Sequence, residues 1–389
     1  LIGNLFINLA FIFIGVLFLI FPYNLKLSII NENKNQIFLL LIFFISLLIN
    51  LFFSEDLYLS LPRVLKFLLI IIFIITFKIL QNNYDLEKNL FQFWVWIFLF
   101  VLFDIVFEIL FGRNIIGNTA LIPGRISSFT GDDMNIGNFF SAFVLIVLSF
   151  FNNKYRSKKL NFLLVFLFLV ISFLIGERAN FIKTFIMIII FSYFILSFNK
   201  RYLLTTIILI SFFLLIILNY NNNYKTRYIS QLSSITKEGI GYYLENSIYG
   251  AHYSVAKEIF KKNIYFGVGI KNFRIASYDE KYVTNHKLND RRANTHPHQL
   301  HYEFLAETGL FGYFFFLLFM FFSLTFALKQ LRENLNLYQL SGLLFIVVNL
   351  IPLIPSGSFF ATFSSGLFWI NYTLLMGNYK IFKSNQSLN

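Results

Sequence analysis

Three of the chain's five histidines fall in one short run, Thr-His-Pro-His-Gln-Leu-His-Tyr-Glu-Phe-Leu-Ala-Glu-Thr-Gly at 295–309. Imidazole is the side chain best suited to moving protons near neutral pH. One of these rings could act as general base toward a hydroxyl. A helix beginning at Pro297, a favoured first helical residue, and ending at Gly309 would put His298 and His301 on one face, with His296 at the cap. Two other readings compete. The histidines could simply cap and solvate a helix start, or His-x-His could be part of a zinc site, although no compact acidic or cysteine partner accompanies it.

A second polar element is Gly-Glu-Arg-Ala-Asn at 176–180, a short turn between two apolar runs. A guanidinium such as Arg178 matches phosphate oxygens with two parallel hydrogen bonds. The competing reading pairs Arg178 with Glu177. Arg63 and Lys66 sit one turn apart near the end of a third apolar run, Arg125 lies in the segment 112–135, and Arg274, Arg291 and Arg292 lie in the segment 220–308. Together these would suit an anionic lipid diphosphate, although each alone reads as an ordinary solvated charge. Asp104 and Glu108 lie inside an apolar run, where carboxylates face a cavity or a cation. They could assist a site or pair with arginines. Gly267-Val268-Gly269 lacks the third glycine and the preceding strand of a nucleotide loop, and reads as a turn.

These residues must be positioned by a membrane framework. Hydrophobic residues make up 57% of the 389, charged residues only 13%, and mean hydropathy is +0.69; a soluble protein carries about 25% charged residues. Absent cysteine excludes disulfides, thiolate catalysis and Cys-ligated metals. The 55 Phe are a compositional bias without functional content. A span needs roughly 20 apolar residues. About eleven are expected, near 4–21, 37–53, 62–80, 90–111, 136–151, 160–175, 180–198, 203–219, 310–328, 338–354 and 359–377, several of them short enough to need tilt or local thinning. No internal repeat is visible, so the reading is one integral membrane domain, 1–389, with one large inserted loop.

Basic residues orient the spans. Lys154, Arg156, Lys158 and Lys159, then Lys200 and Arg201, then Lys329 and Arg332, and finally Lys380 and Lys383 fall on one side, expected to be cytoplasmic. The net charge of +13 is thereby assigned largely to topology, not to nucleic acid. The segments 112–135, 176–179, 220–308 and 355–358 then lie outside, as does the N-terminus, which starts at Leu, shows no cleavable signal pattern, and fits a missing first helix. The outer segment 220–308 holds twelve Lys plus Arg against eight Asp plus Glu. Within it 250–262 reads as an amphipathic helix, with His252, Ala256, Ile259 and Phe260 on one face.

In their order along the chain, Gly-Glu-Arg-Ala-Asn at 176–180, Gly-Ala-His-Tyr at 250–253, Gly-Val-Gly-Ile-Lys-Asn-Phe-Arg at 267–274 and the histidine run continued to Gly312 resemble the O-antigen ligase and O-antigen polymerase superfamily of bacterial envelope enzymes. The resemblance covers about 130–312. It implies an all-α polytopic membrane fold, GT-C-like, with about 11–12 transmembrane helices and one large periplasmic loop, 220–308, containing short helices. It implies transfer of glycan from undecaprenyl diphosphate to a sugar hydroxyl at the periplasmic face of the bacterial inner membrane. Neither a metal nor any other cofactor is implied. The acceptor would be lipid A-core or another lipid-linked glycan, and the partners are these two substrates and the bilayer. Carried over residue by residue, the resemblance makes His298 the base with His296 as competitor and Arg178 a diphosphate contact, with Arg274, Arg63, Arg125 and His301 as further substrate-binding candidates. Family ligases often carry another arginine early in the large loop. Here Ile248-Tyr249-Gly250-Ala251-His252 has none, leaving Arg227 and Arg274 as alternatives. Gln299 also replaces the preferred Asn. The rival functions are a polysaccharide transporter or flippase, which would favour repeated halves and deep charges, and a non-catalytic glycan-binding membrane protein.

Overall fold

The computed structural model describes residues 2–21, 26, 33–196 and 200–377, and the basic tail positions Lys380 and Lys383 lie outside them. Among the described residues the regular structure is helical, with no strand. Uninterrupted apolar runs dictate this, because in hydrocarbon a helix satisfies its own backbone polar groups. Six helices are long and apolar enough to cross a membrane: Lys34–Phe53, Leu57–Asn83, Glu87–Phe111, Ile136–Tyr155, Arg178–Ile195 and Leu300–Glu333. A seventh is possible if Leu204–Tyr220 and Asn222–Ile229, bent by 115°, form one broken span. The chain is a multi-pass membrane protein. The other four expected spans are helices of 19, 17, 13 and 14 residues, Ile2–Ile20, Lys158–Leu174, Leu337–Asn349 and Thr362–Leu375. Leu337–Asn349 and Thr362–Leu375 are too short for a full crossing, and Ile2–Ile20 and Lys158–Leu174 stand at its lower limit. Each of the eleven expected segments thus contains a helix among the described residues, and six or seven of these are long and apolar enough to cross a membrane.

Contacts gather into two compact units. One comprises Leu1–Asn83, Ser234–Asn334 and Asn349–Gly377; the other contains Tyr84–Ser233 and Leu335–Val348. The phenylalanine bias supplies the core of each. In the first, Phe43 packs edge-on against Phe67 at 5.3 Å and stacks on Phe319 at 6.0 Å, while Phe67 meets Trp369 at 5.2 Å. In the second, Phe98 lies 5.3 Å from Phe140 and 5.6 Å from Phe168. Offset and edge-to-face pairs of this kind each add about 0.5–1.5 kcal/mol beyond area burial, which binds helices whose surroundings are as apolar as their surfaces.

Two expectations are corrected. The helix does not begin at Pro297 and end at Gly309. It begins at Leu300, bends at Gly309, and continues to Glu333, absorbing the expected span 310–328. Gln299 is its cap: the side-chain Oε1 accepts from Tyr302 N at 2.9 Å. His298 stands before the cap with φ +57°, so it does not share a helical face with His301. The segment 220–308 also opens on a helix that hydrophobicity did not announce, Asn222–Asn246, kinked at Gly239. The amphipathic stretch forms the helix Ile248–Lys262 with His252, Ala256 and Ile259 buried.

Topology is open to a direct test, because the chain has no native cysteine. Glu280 and Lys158 are exposed. A single cysteine at Glu280 should react with a membrane-impermeant maleimide in intact spheroplasts and one at Lys158 should not. The reverse pattern would invert the orientation.

Candidate functional site

In the first unit the site is built around a helix break. An unbroken helix would bond Leu310 N to Ala306 O and Phe311 N to Glu307 O. At Gly309, where φ is +62°, both bonds are exchanged. Leu310 N and Phe311 N donate instead to Ile264 O and Tyr265 O at 2.8 and 3.0 Å, and the released Ala306 O and Glu307 O accept from Val268 N and Gly269 N at 3.0 and 2.9 Å. A Cβ at Gly309 would lie 2.5 Å from Phe266 N, and one at Gly267 2.5 Å from the Glu307 carbonyl carbon. The glycines are there because two backbones meet. The Glu307 carboxylate grips the same turn, accepting from Lys271 N at 2.8 Å. Asn272 Nδ2 donates to Ser54 Oγ and Ser60 Oγ, each at 2.8 Å, and Asn272 Oδ1 accepts from Asp56 N at 2.9 Å. The Gly-x-Gly segment is thus the structural turn expected, not a nucleotide loop.

The histidines on this frame form a stack that includes His252. The rings of His252 and His298 lie 5.3 Å apart, those of His296 and His298 4.1 Å apart, and Tyr249 meets His298 edge-on at 5.5 Å. Burial, reinforced by His252, pushes His298 down to about 4. Burial, then His298, Lys271 and His252, pushes His296 lower still. Burial also lowers His252, against the Arg291 carbonyl. In all three, burial disfavours the charged imidazolium. Among the described residues the His298 ring nitrogens have no hydrogen-bond partner, so one remains open to take a proton. His301 is different. Its Nε2 donates to Leu350 O at 2.8 Å and its Nδ1 accepts from the Tyr313 hydroxyl at 2.8 Å. With both nitrogens occupied, His301 ties helix to loop. No group of three or more His, Cys, Asp or Glu among the described residues is arranged to hold a metal ion.

One buried basic side chain, Lys271, and two half-buried arginines, Arg63 and Arg274, belong to the same unit as the stack. Lys271 Nζ donates to Ser358 Oγ at 2.7 Å, and Ser358 in turn donates to Glu303. Burial lowers Lys271; Glu303 and Glu307 raise it, and Arg274 and Arg63 lower it again. Arg63 and Arg274, both expected substrate contacts, therefore share one electrostatic neighbourhood with Lys271. The backbone N of Ser356 donates to His298 O at 2.8 Å, which ties the histidine to the loop that carries Ser358. Glu303, Glu307 and Ser358 had no signal in the sequence as site residues, and Lys271 was visible only as part of the Gly-x-Gly motif.

The second unit holds the other arginines. Gly176 has φ +77°, and a Cβ there would sit 1.8 Å from Gly124 O. Around this close approach, Arg227 Nε donates to Gly176 O at 2.5 Å and Arg178 Nη1 to Arg227 O at 3.0 Å. Glu177 pairs with Arg125 at 3.7 Å, not with Arg178, and accepts from Gly137 N at 2.8 Å. Burial raises Glu177, while Arg125 is the largest influence holding it down. Arg125 and Arg227 both act on the Glu177 carboxyl, and Arg178 adjoins Arg227, so arginines outnumber acids in the cluster. Asp104 and Glu108 do not pair with arginines. Asp104 accepts from Ile115 N at 2.8 Å and Ser128 Oγ at 2.6 Å, and Glu108 from Ser127 N at 2.9 Å and Ser128 N at 2.6 Å. They fold the segment 112–133. Arg125 and Glu108 also line a cavity of about 680 Å³ with Leu174, Ile217 and Tyr224.

The depressed histidines make stability sensitive to acid. Above about pH 6.5, the ordinary histidine value, folded and unfolded rings are both neutral. Below it the unfolded chain takes up protons that folded His298 refuses until about 4, so stability falls as pH falls through that window. The melting temperature of His298→Gln should drop less than that of the native chain between pH 7.5 and 5. Equal drops would assign the acid sensitivity to other groups.

The family model described as O-antigen ligase matches residues 163–317. The matched stretch contains Arg178, Arg227, His252, the Gly-x-Gly turn, His296, His298 and His301, and leaves Arg63 and Arg125 outside. No curated protein matches the chain. The match points to an O-antigen ligase or polymerase type of role in surface polysaccharide assembly. Over residues 163–317, with its histidine stack and arginine turn, this membrane chain is similar to the O-antigen ligase superfamily.

Proposed function

We propose that the chain is an inner-membrane glycosyltransferase that moves glycan from undecaprenyl diphosphate to a sugar hydroxyl on the periplasmic side. The observation that carries this reading is His298, an imidazole whose charged form burial disfavours and whose ring nitrogens are open, stacked on His296, which the buried Lys271 faces. It lies within the matched stretch. The acceptor hydroxyl gives its proton to His298 as its oxygen bonds to the anomeric carbon of the donor sugar. The bond from that carbon to the diphosphate oxygen breaks, and undecaprenyl diphosphate leaves with the electron pair. Attack opposite the leaving group inverts the anomeric centre. His252 and His296 pack against the His298 ring, and burial disfavours positive charge on both of them. Arg274 and Arg63 are assigned to the diphosphate charge that grows in the transition state, a role in which fixed cations contribute strongly. Arg178, supported by Arg125 and Arg227, is assigned to phosphate on the strength of the family resemblance. No metal enters the scheme.

A left-handed backbone at a non-glycine residue costs about 1–3 kcal/mol and persists where surrounding structure enforces it. His298 is such a residue, which supports a positioned base over a passive cap.

Loss of a positioned general base lowers rate by about 10²–10⁴-fold. His298→Ala should therefore lose most transfer from lipid-linked donor in membranes, scored as a glycan ladder at matched abundance. Arg178→Lys should also be impaired, since an ammonium cannot reproduce a two-pronged contact. A normal ladder from His298→Ala with none from His296→Ala would move the base to His296. Normal ladders from both would end the general-base reading. Excess EDTA should leave the native ladder intact; a loss restored by zinc would bring a metal back.

A further inference from the structure

Beside His298 runs a row of tyrosines that the proton-transfer scheme does not use. Tyr249 and Tyr253 lie one turn apart on the helix Ile248–Lys262, and Tyr302 lies in the first turn of Leu300–Glu333. Tyr253 stacks on Tyr302 at 4.8 Å with 15° between planes, and Tyr249 on Tyr253 at 6.5 Å with 21°. Tyr249 then meets the His298 ring edge-on at 5.5 Å. Tyr249 and Tyr302 are half-buried, so part of each ring is open.

The hydroxyls argue that this row is more than packing. The chain has 55 Phe against 21 Tyr, so phenylalanine is its ordinary core aromatic. Tyr253 is 5% exposed, and its hydroxyl has no hydrogen-bond partner. A buried polar group left in that state costs about 1–3 kcal/mol, and such exceptions call for an explanation. A lipid chain would pack on these rings without needing a hydroxyl. A pyranose has one apolar C–H face and a rim of hydroxyls, which matches aromatic walls carrying a few polar groups.

We infer that Tyr249, Tyr253 and Tyr302 form the face that holds the acceptor's sugar ring beside His298. The inference rests on the glycosyl-transfer reading and names its acceptor subsite. A sugar lying on Tyr249 turns its hydroxyl rim toward the open nitrogens of His298, and the Tyr253 hydroxyl gains the partner it lacks. These tyrosines bind and orient; the proton still moves to His298.

The test uses the full chain in phospholipid nanodiscs, free of sugar-based detergent, with methyl glycosides of common hexoses, heptoses and N-acetylhexosamines as probes. Saturation-transfer NMR should mark ring C–H protons of at least one glycoside. Tyr249→Ala should abolish the signal and Tyr249→Phe retain it. Tyr253→Phe leaves the ring in the core and removes only the unpartnered hydroxyl; it should weaken binding by up to about tenfold, the worth of one net hydrogen bond. No saturation of any glycoside by the native chain would overturn the subsite, as would unchanged saturation in both Tyr249→Ala and Tyr253→Phe. The glycan ladder separates the two levels. A native ladder with tyrosine-independent saturation sinks the subsite alone, whereas tyrosine-dependent saturation without a native ladder sinks the transferase reading alone.

Discussion

Everything near the histidines depends on four main-chain hydrogen bonds exchanged at Gly309. A transmembrane helix ordinarily bonds only to itself. Here two of its carbonyls and two of its amides are handed to the segment 264–269. That exchange fixes the Gly-x-Gly turn against the helix, and the turn sets Lys271 and Arg274 in place. With a side chain at Gly267 or Gly309 the backbones could not approach, and the exchange would be lost as a set.

The carboxylates serve this architecture as acceptors. Glu307 holds the amide of Lys271, Glu303 takes Ser358 and the amide of Phe359 at 2.8 Å, and in the other unit Glu108 and Asp104 gather the backbone of 112–133. An acid surrounded by amide and hydroxyl donors is a weak candidate for proton chemistry, because its lone pairs are already committed. The imidazoles of the stack differ in that their nitrogens are not all engaged, which is why the proposed proton transfer is given to them. The same logic separates His301 from its neighbours: it resembles them in sequence, yet both of its nitrogens hold helix to loop.

Much of this was legible in the sequence. Long apolar runs gave the helices, and the amphipathic period of 250–262 gave a helix with His252 inward. His296, His298, Arg63 and Arg274 do fall in one unit, around Lys271. The rest was hidden for physical reasons. Pro297 and Gly309 are strong local signals, but Gln299, a residue not favoured as a cap, took the N-terminal role, and Gly309 bent the helix instead of ending it because outside partners replaced the broken bonds. Arg178 and Glu177 are adjacent in sequence, yet Glu177 turns to Arg125 and Arg178 to a backbone carbonyl. Side-chain direction at a turn is a property of tertiary contacts, which spacing does not encode.

The two helical arms of Leu300–Glu333, joined at Gly309, have a mechanical meaning. At about 1.5 Å per residue, their 34 residues make one lever of roughly 50 Å along the path of the helix. At one end is Gln299, next to His298; at the other are Lys329 and Arg332. The bend at Gly309 is clamped on both sides and so behaves as a fixed elbow, not a loose joint. Because the bonds at the bend fix one arm to the segment 264–269, the far arm and the residue before the cap, His298, share one clamped support.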